Sequence, residues 1–119
     1  AEIQEANSKM LKAQFACMTK DLNPKVVKLG MLFSKRIMCE VEAWLKNYEG
    51  SVVCDPVMVA TSGELLLQES AKSFLIGHIL PRSALLTPNL FEAEAMLGCS
   101  VCTPEEIEKA AVDLLSLGA

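Results

Sequence analysis

A short β-branched run that drives straight into an acid and a proline constrains this chain more than any other stretch. In Val52-Val53-Cys54-Asp55-Pro56-Val57-Met58-Val59-Ala60-Thr61-Ser62-Gly63, Val52 to Cys54 read as a strand buried on both faces, the habit of parallel sheets. Pro56 has no N–H for a ladder and biases Asp55 towards an extended backbone, so the strand ends at the acid. Apolar residues and a Thr-Ser-Gly turn then lead towards the next helix. Ligands of open α/β sheets bind beyond the carboxyl ends of the strands. Asp55 is therefore either an acid placed for metal or phosphate chemistry or a residue that turns a loop.

The flanking segments alternate between helical and extended periods. Ile3, Ala6, Met10, Ala13 and Cys17 recur at spacings of three and four, with Leu11, Phe15 and Met18 beside them. They predict a helix from residue 2 to about 20, ended by Leu22-Asn23-Pro24. Val26 to Met31 predict a strand closing on Gly30, and Ser34 caps a helix carrying Ile37, Val41, Trp44, Leu45 and Tyr48 on one face. Glu49-Gly50 ends that helix, and Ser51 to Cys54 form the second strand. A further helix is expected from Gln68 to His78 with Ala71, Phe74, Leu75 and His78 on one side, stopped by Pro81. His78 near its end suits a capping or surface role.

Ala84 to Thr87 predict the third strand, and Asn89 opens a helix that ends at Gly98. Thr103-Pro104-Glu105-Glu106 joins an N-cap, a proline at the first helical position and a glutamate three residues after the cap. That last helix is expected to bury Ile107, Ala111, Leu114 and Leu115 and to stop at Gly118. The order α-β-α-β-α-β-α-α predicts an α/β fold of three layers, α/β/α, with right-handed crossovers and a parallel sheet covered by helices on both faces. The first helix has no strand before it and the last should lead into another, so both ends read as cut from the middle of a larger fold.

At 119 residues the chain is one domain's worth at most, and 51% of it is apolar but only 5% aromatic, so Leu, Val, Ala, Met and Cys must fill the core. Eleven basic and fifteen acidic residues are interspersed without a basic stripe, which excludes the electrostatic footprint of a nucleic-acid binder. The odd count of cysteines (Cys17, Cys39, Cys54, Cys99 and Cys102) argues against a disulfide framework. Those in apolar-periodic segments are expected to behave as small buried hydrophobes. Cys99 and Cys102 form one CxxC with no second pair and read as ordinary thiols. No signal peptide and no apolar run near 18 residues is present, so a reduced, cytoplasmic setting without membrane partners is expected.

Asn89-Leu90-Phe91-Glu92 follows the third strand as Asp55 follows the second. An Asn at an N-cap with Glu three residues later is a capping-box pattern, and Thr103 to Glu106 repeats a variant of it. Asn89, however, opens its helix directly from a strand's carboxyl edge, where the positive helix end favours phosphate and a glutamate can reach a metal held on it. Two acids, Asp55 and Glu92, at neighbouring strand ends suggest an Mg²⁺-nucleotide edge. No GxxxxGK[ST] loop is present, so such a kinase is not of the P-loop kind.

With Lys28-Leu29-Gly30-Met31-Leu32 before it and Leu86-Thr87-Pro88-Asn89-Leu90-Phe91-Glu92-Ala93-Glu94-Ala95 after it, the run from Asp55 to Gly63 resembles hydroxymethylpyrimidine/phosphomethylpyrimidine kinase of thiamine biosynthesis, a branch of the ribokinase superfamily. The similarity is dense from about Val26 to Gly98. It implies that residues 1–119 are the central part of a single, incomplete ribokinase-like kinase domain, taking ATP and Mg²⁺ as cofactors. The implied reaction is ATP-dependent phosphorylation of 4-amino-5-hydroxymethyl-2-methylpyrimidine and then of its monophosphate. Glu92 would act through Mg²⁺ on the nucleotide phosphates with Asn89 supporting it, and Asp55 would belong to the same metal and phosphate edge. Met31 and Val57 would line the pyrimidine pocket.

The family's glycine-rich N-terminal segment and its later Gly-Thr-Gly-Cys-type segment, which carries the catalytic base, have no match here. No catalytic residue is therefore expected within this chain, and the isolated 119 residues are expected not to turn over. The implied partners are the pyrimidine and ATP, and a homodimer of the full-length protein is compatible with the resemblance. A pyridoxal kinase-like enzyme, which shares only the Asp-Pro-Val core of the run, is the nearest alternative. A receiver domain would use Asp55, Thr87 and Lys109, yet it lacks an acidic pair after a first strand and Lys109 falls inside an amphipathic helix. A non-catalytic remnant binding through exposed sheet edges is the third.

Overall fold

The structure, a computed structural model, describes residues 2–60 and 66–119. The elements come in the expected order: α1 (Ser8–Asp21), β1 (Val26–Leu29), α2 (Lys35–Leu45), β2 (Ser51–Cys54), α3 (Glu69–Phe74), β3 (Leu85–Leu86), α4 (Leu90–Leu97) and α5 (Pro104–Ser116). The Thr-Ser-Gly turn expected at residues 61–63 lies outside the described residues. The three strands form one parallel sheet in the order β1-β2-β3, with Leu29 beside Cys54 and Cys54 beside Leu86.

Alternate residues of a strand face opposite sides of the sheet. Val27, Leu29, Val52, Cys54 and Leu86 consequently share one face, and all pack into the same core as Met38, Val41 and Leu45 of α2 and Ala71 of α3. Met96 of α4 and Leu114 of α5 join that core. The opposite face carries Val26 at 58% exposure, Leu85 at 53% and the Lys28 side chain. The architecture is thus the incomplete parallel α/β fold expected.

Several boundaries shift for physical reasons. β1 stops at Leu29, not Met31, because β2 offers it partners only as far as Cys54. β3 is Leu85–Leu86 rather than Ala84–Thr87, although the N–H groups of Ala84 and Thr87 still donate to Val52 O at 2.8 Å and Cys54 O at 2.9 Å. α1 begins at Ser8 because Asn7 caps it, its side chain accepting from Met10 N–H at 2.8 Å. The preceding segment is drawn instead to α2, where Glu5 pairs with Arg36 at 3.0 Å and meets the Ser34 hydroxyl.

No residue of α1 is buried, so Cys17 and likewise Cys39 on α2 are exposed thiols, not the buried hydrophobes expected, and Cys54 is the buried one. The helix expected from Gln68 to His78 is α-helical only over Glu69–Phe74, then widens into a π turn at Leu75–Ile79 and tightens at Leu80–Arg82. His78 keeps a surface role, stacked on Phe74 with its Nδ1 3.1 Å from Glu42 Oε1.

α5 corrects the sequence reading most clearly. It buries Ala110 and Leu114, whereas Ile107, Ala111 and Leu115 remain exposed. Those three residues, with Leu85 of β3 and Leu90 of α4, wall an apolar groove of about 350 Å³. The amphipathic stripe is real, but three of its four expected residues face this groove instead of a packed neighbour.

Candidate active site

Two acids reach the carboxyl edge of the sheet by different local devices. Asp55 leaves β2 still in line with it, since its N–H donates to Leu29 O of β1 at 2.8 Å. Pro56 behind it is fully buried, so the turn is anchored in the core. The Asp55 carboxylate remains part-exposed, and its Oδ2 sits 2.8 Å from the Lys28 ammonium.

Glu92 arrives from β3 through α4. Asn89 caps that helix, its Oδ1 accepting from Glu92 N–H at 2.9 Å, while Glu92 Oε2 accepts from Asn89 N–H at 2.8 Å. The capping box read from the sequence is therefore formed. It draws Glu92 inward to 5% exposure, unusual for a carboxylate.

Asp55 directly follows β2, and Glu92 lies in the first turn of the helix that follows β3, the neighbouring strand. The Cys54 thiol is pushed up to about 11, first by burial and then by the negative charges of Asp55 and Glu92, against a hydrogen bond with Ser83 that lowers it. Thr87, which the sequence offered as part of a receiver-like set, instead stitches β3 to β2 through its N–H on Cys54 O. Lys109 lies within α5, as the periodicity implied.

Met31 and Val57 follow β1 and β2 at the same edge, Met31 exposed by 45% and Val57 half-buried. A Cβ added at Gly30 would meet nothing within 4 Å, so the space over this turn is open. Lys28 had no role assigned from the residues alone. The signal that could have found it is its solitude, because it is the only charged residue in the three strands.

Hard carboxylate oxygens suit a hard divalent cation. Each acid has one oxygen committed, Glu92 to its own helix and Asp55 to Lys28. No group of three or more His, Cys, Asp or Glu side chains able to hold a metal exists among the described residues. An ion at this edge would fit as a two-carboxylate site that takes its other ligands from phosphate oxygens and water, the usual habit of Mg²⁺.

Known proteins resemble the chain along nearly its whole length. The hydroxymethylpyrimidine/phosphomethylpyrimidine kinase of Rhizobium meliloti is 34% identical over 118 residues, 98% of this chain and 44% of that protein. The enzyme of the same name from Bacillus subtilis is 36% identical over 110 residues, 92% of this chain and 41% of that protein. The chain therefore spans less than half the length of these relatives. Among solved structures, phosphomethylpyrimidine kinase of Clostridium difficile superposes with a TM-score of 0.89 at 34% identity, covering 99% of this chain and 52% of that one. Pyridoxal kinase of Staphylococcus aureus in complex with AMP-PCP follows at 0.85 and 26%, covering 99% and 42%. The family model for phosphomethylpyrimidine kinase matches residues 1–119, the whole chain, and the chain belongs to that family.

Proposed function

We propose that residues 1–119 form the central part of a single ribokinase-like kinase domain. Its reaction is ATP-dependent phosphorylation of 4-amino-5-hydroxymethyl-2-methylpyrimidine and of its monophosphate in thiamine biosynthesis. The observation that carries this reading is the pair of acids after neighbouring parallel strands, part-exposed Asp55 behind β2 and buried Glu92 in the capping box behind β3, with Met31 and Val57 following β1 and β2. In this reading the substrate hydroxyl attacks the terminal phosphorus of ATP, ADP leaves, and the hydroxyl proton passes to a base outside these residues; in the second reaction an oxygen of the monophosphate attacks in the hydroxyl's place.

Phosphoryl transfer asks the protein mainly to position phosphates and offset their charge. Asp55 and Glu92 would hold Mg²⁺, which when bound neutralises charge on the nucleotide phosphates. Asn89 supports Glu92 through the capping box at the N-terminus of α4, and Met31 and Val57 flank the pyrimidine ring. A cytoplasmic enzyme of small molecules suits the absence of a basic stripe. No helix among the described residues is long and apolar enough to cross a membrane.

Grafting tests the reading. This chain would replace the matched segment of the Bacillus subtilis relative, and the chimera would be assayed with ATP, Mg²⁺ and either the hydroxymethylpyrimidine or pyridoxal. Phosphorylation of the pyrimidine in preference to pyridoxal is expected. Glu92→Gln within the graft should lower kcat/KM by roughly 10²–10³-fold, the scale of losing one preorganised electrostatic group. Glutamine still accepts the Asn89 N–H, so the melting temperature should hardly move. A folded chimera that prefers pyridoxal overturns the substrate assignment, and one in which Glu92→Gln is silent overturns the metal edge. The 119 residues alone should not turn over.

A further inference from the structure

Lys28 stands out once the register is known. It is the only charged side chain in the three strands, and it lies on the face where Val26 and Leu85 are exposed. It pairs in register with Val53, two residues before Asp55. By alternation Lys28, Val53 and Asp55 belong to one face, so the lysine reaches forward along the sheet to the edge acid. The contact is direct at 2.8 Å, with the lysine side chain 63% exposed and the aspartate 28%.

An ion pair this open contributes little to folding stability. Its consequence for binding is larger. A carboxylate that already faces an ammonium is a poor ligand for a second cation, since the two positive charges compete for the same oxygens and repel each other. A phosphate brought to the edge reverses the balance. It offers the ammonium a stronger partner, and the flexible lysine stem, held at the sheet only by its Cα, lets the charge follow.

We propose that Lys28 is a positioning residue of this edge, neutralising Asp55 until a phosphate arrives and then passing its charge to that phosphate, so that metal and phosphate bind cooperatively. The inference rests on the reading of Asp55 as a metal-edge acid and deepens it. Reciprocity follows, because whatever factor phosphate contributes to metal affinity, metal contributes to phosphate affinity. Either the monoester phosphate of a substrate or the phosphate chain of a nucleotide could serve.

Metal binding without turnover tests the proposal. Mn²⁺ would be titrated by electron paramagnetic resonance into the 119-residue chain and its Lys28→Met, Lys28→Arg and Asp55→Asn variants, each checked for an unchanged circular dichroism spectrum. With Mn²⁺ alone, Lys28→Met should bind roughly three- to tenfold more tightly than the parent chain, the range for an exposed charge contact. Lys28→Arg should behave like the parent, and Asp55→Asn should bind weakly. Adding methyl phosphate, for a monoester, or methylene diphosphonate, for a nucleotide's chain and corrected for its own chelation, should tighten Mn²⁺ binding to the parent and leave Lys28→Met unmoved. The arm that responds identifies the source.

If Mn²⁺ binding depends on Asp55 but Lys28→Met is neutral or weaker, the lysine is only structural support, and the proposal falls while the metal edge stands. If neither anion tightens Mn²⁺ binding to the parent chain, the proposal falls as well. If no variant binds Mn²⁺ through Asp55, both fall.

Discussion

Cys54 shows how much one position can report. It is 1% exposed at the end of β2, and its thiol is raised from 9.0 to about 11 chiefly by burial. The other four cysteines are exposed. A thiol reagent such as DTNB should therefore label four sulfurs quickly in the native chain and the fifth only on unfolding. Simultaneous labelling of all five would contradict the burial of Cys54. A thiol whose folded value lies above its unfolded one stabilises the fold fully below pH 9, and that contribution is lost as pH rises towards 11. The slope is about 1.4 kcal/mol per pH unit, so the loss reaches roughly 2–3 kcal/mol by pH 11. Cys54→Val, which keeps the volume and removes the titration, should flatten the alkaline limb of a denaturation series; an unchanged limb would assign it to other groups.

At the scale of elements, most starts and stops were legible because they are local. The caps at Ser34, Asn89 and Thr103 each accept from an N–H three residues on, and Gly98 ends α4 with φ of 69°. Such signals need only a few neighbours along the chain. The π turn at Leu75–Ile79 was not legible. It inserts a wider turn that leaves Ile79 and Leu80 both fully buried, and a 3.6-residue period has no means of announcing it. Gly50, read only as a helix terminator, has a second role that appears once β2 is docked. A Cβ there would lie 2.5 Å from Lys25 O, the carbonyl that receives Ser51 N–H at 2.9 Å. Gly50→Ala should destabilise the chain by roughly 1–3 kcal/mol through displacement of the β1–β2 entry. Urea denaturation measures it, and a neutral substitution would mean that the strand start can yield.

For the whole molecule, one face of the sheet and the groove beside β3 leave large side chains in water. Val26, Leu85 and Leu115 are exposed by 58, 53 and 64%. Contiguous apolar surface of this kind binds hydrophobic probes. The native chain should enhance the fluorescence of anilinonaphthalene sulfonate, and Leu85→Lys with Leu115→Glu should reduce that signal by half or more while the urea midpoint hardly shifts. A signal indifferent to both substitutions would place the exposed surface elsewhere.

The sequence by itself determined the order of elements, their caps, the parallel α/β class and the two acids at neighbouring strand ends. Each of these follows from periodicity, proline and glycine, or a side chain acting within a turn. The tertiary structure alone decided which part of the α5 stripe is buried and that Cys17 and Cys39 face water. It also decided that Val26 and Leu85 face water and that Lys28 reaches Asp55. Burial depends on what stands opposite a face, and an ion pair across two strands depends on register. Neither is carried by residues adjacent in the chain, so the same apolar spacing can line a core or an open groove.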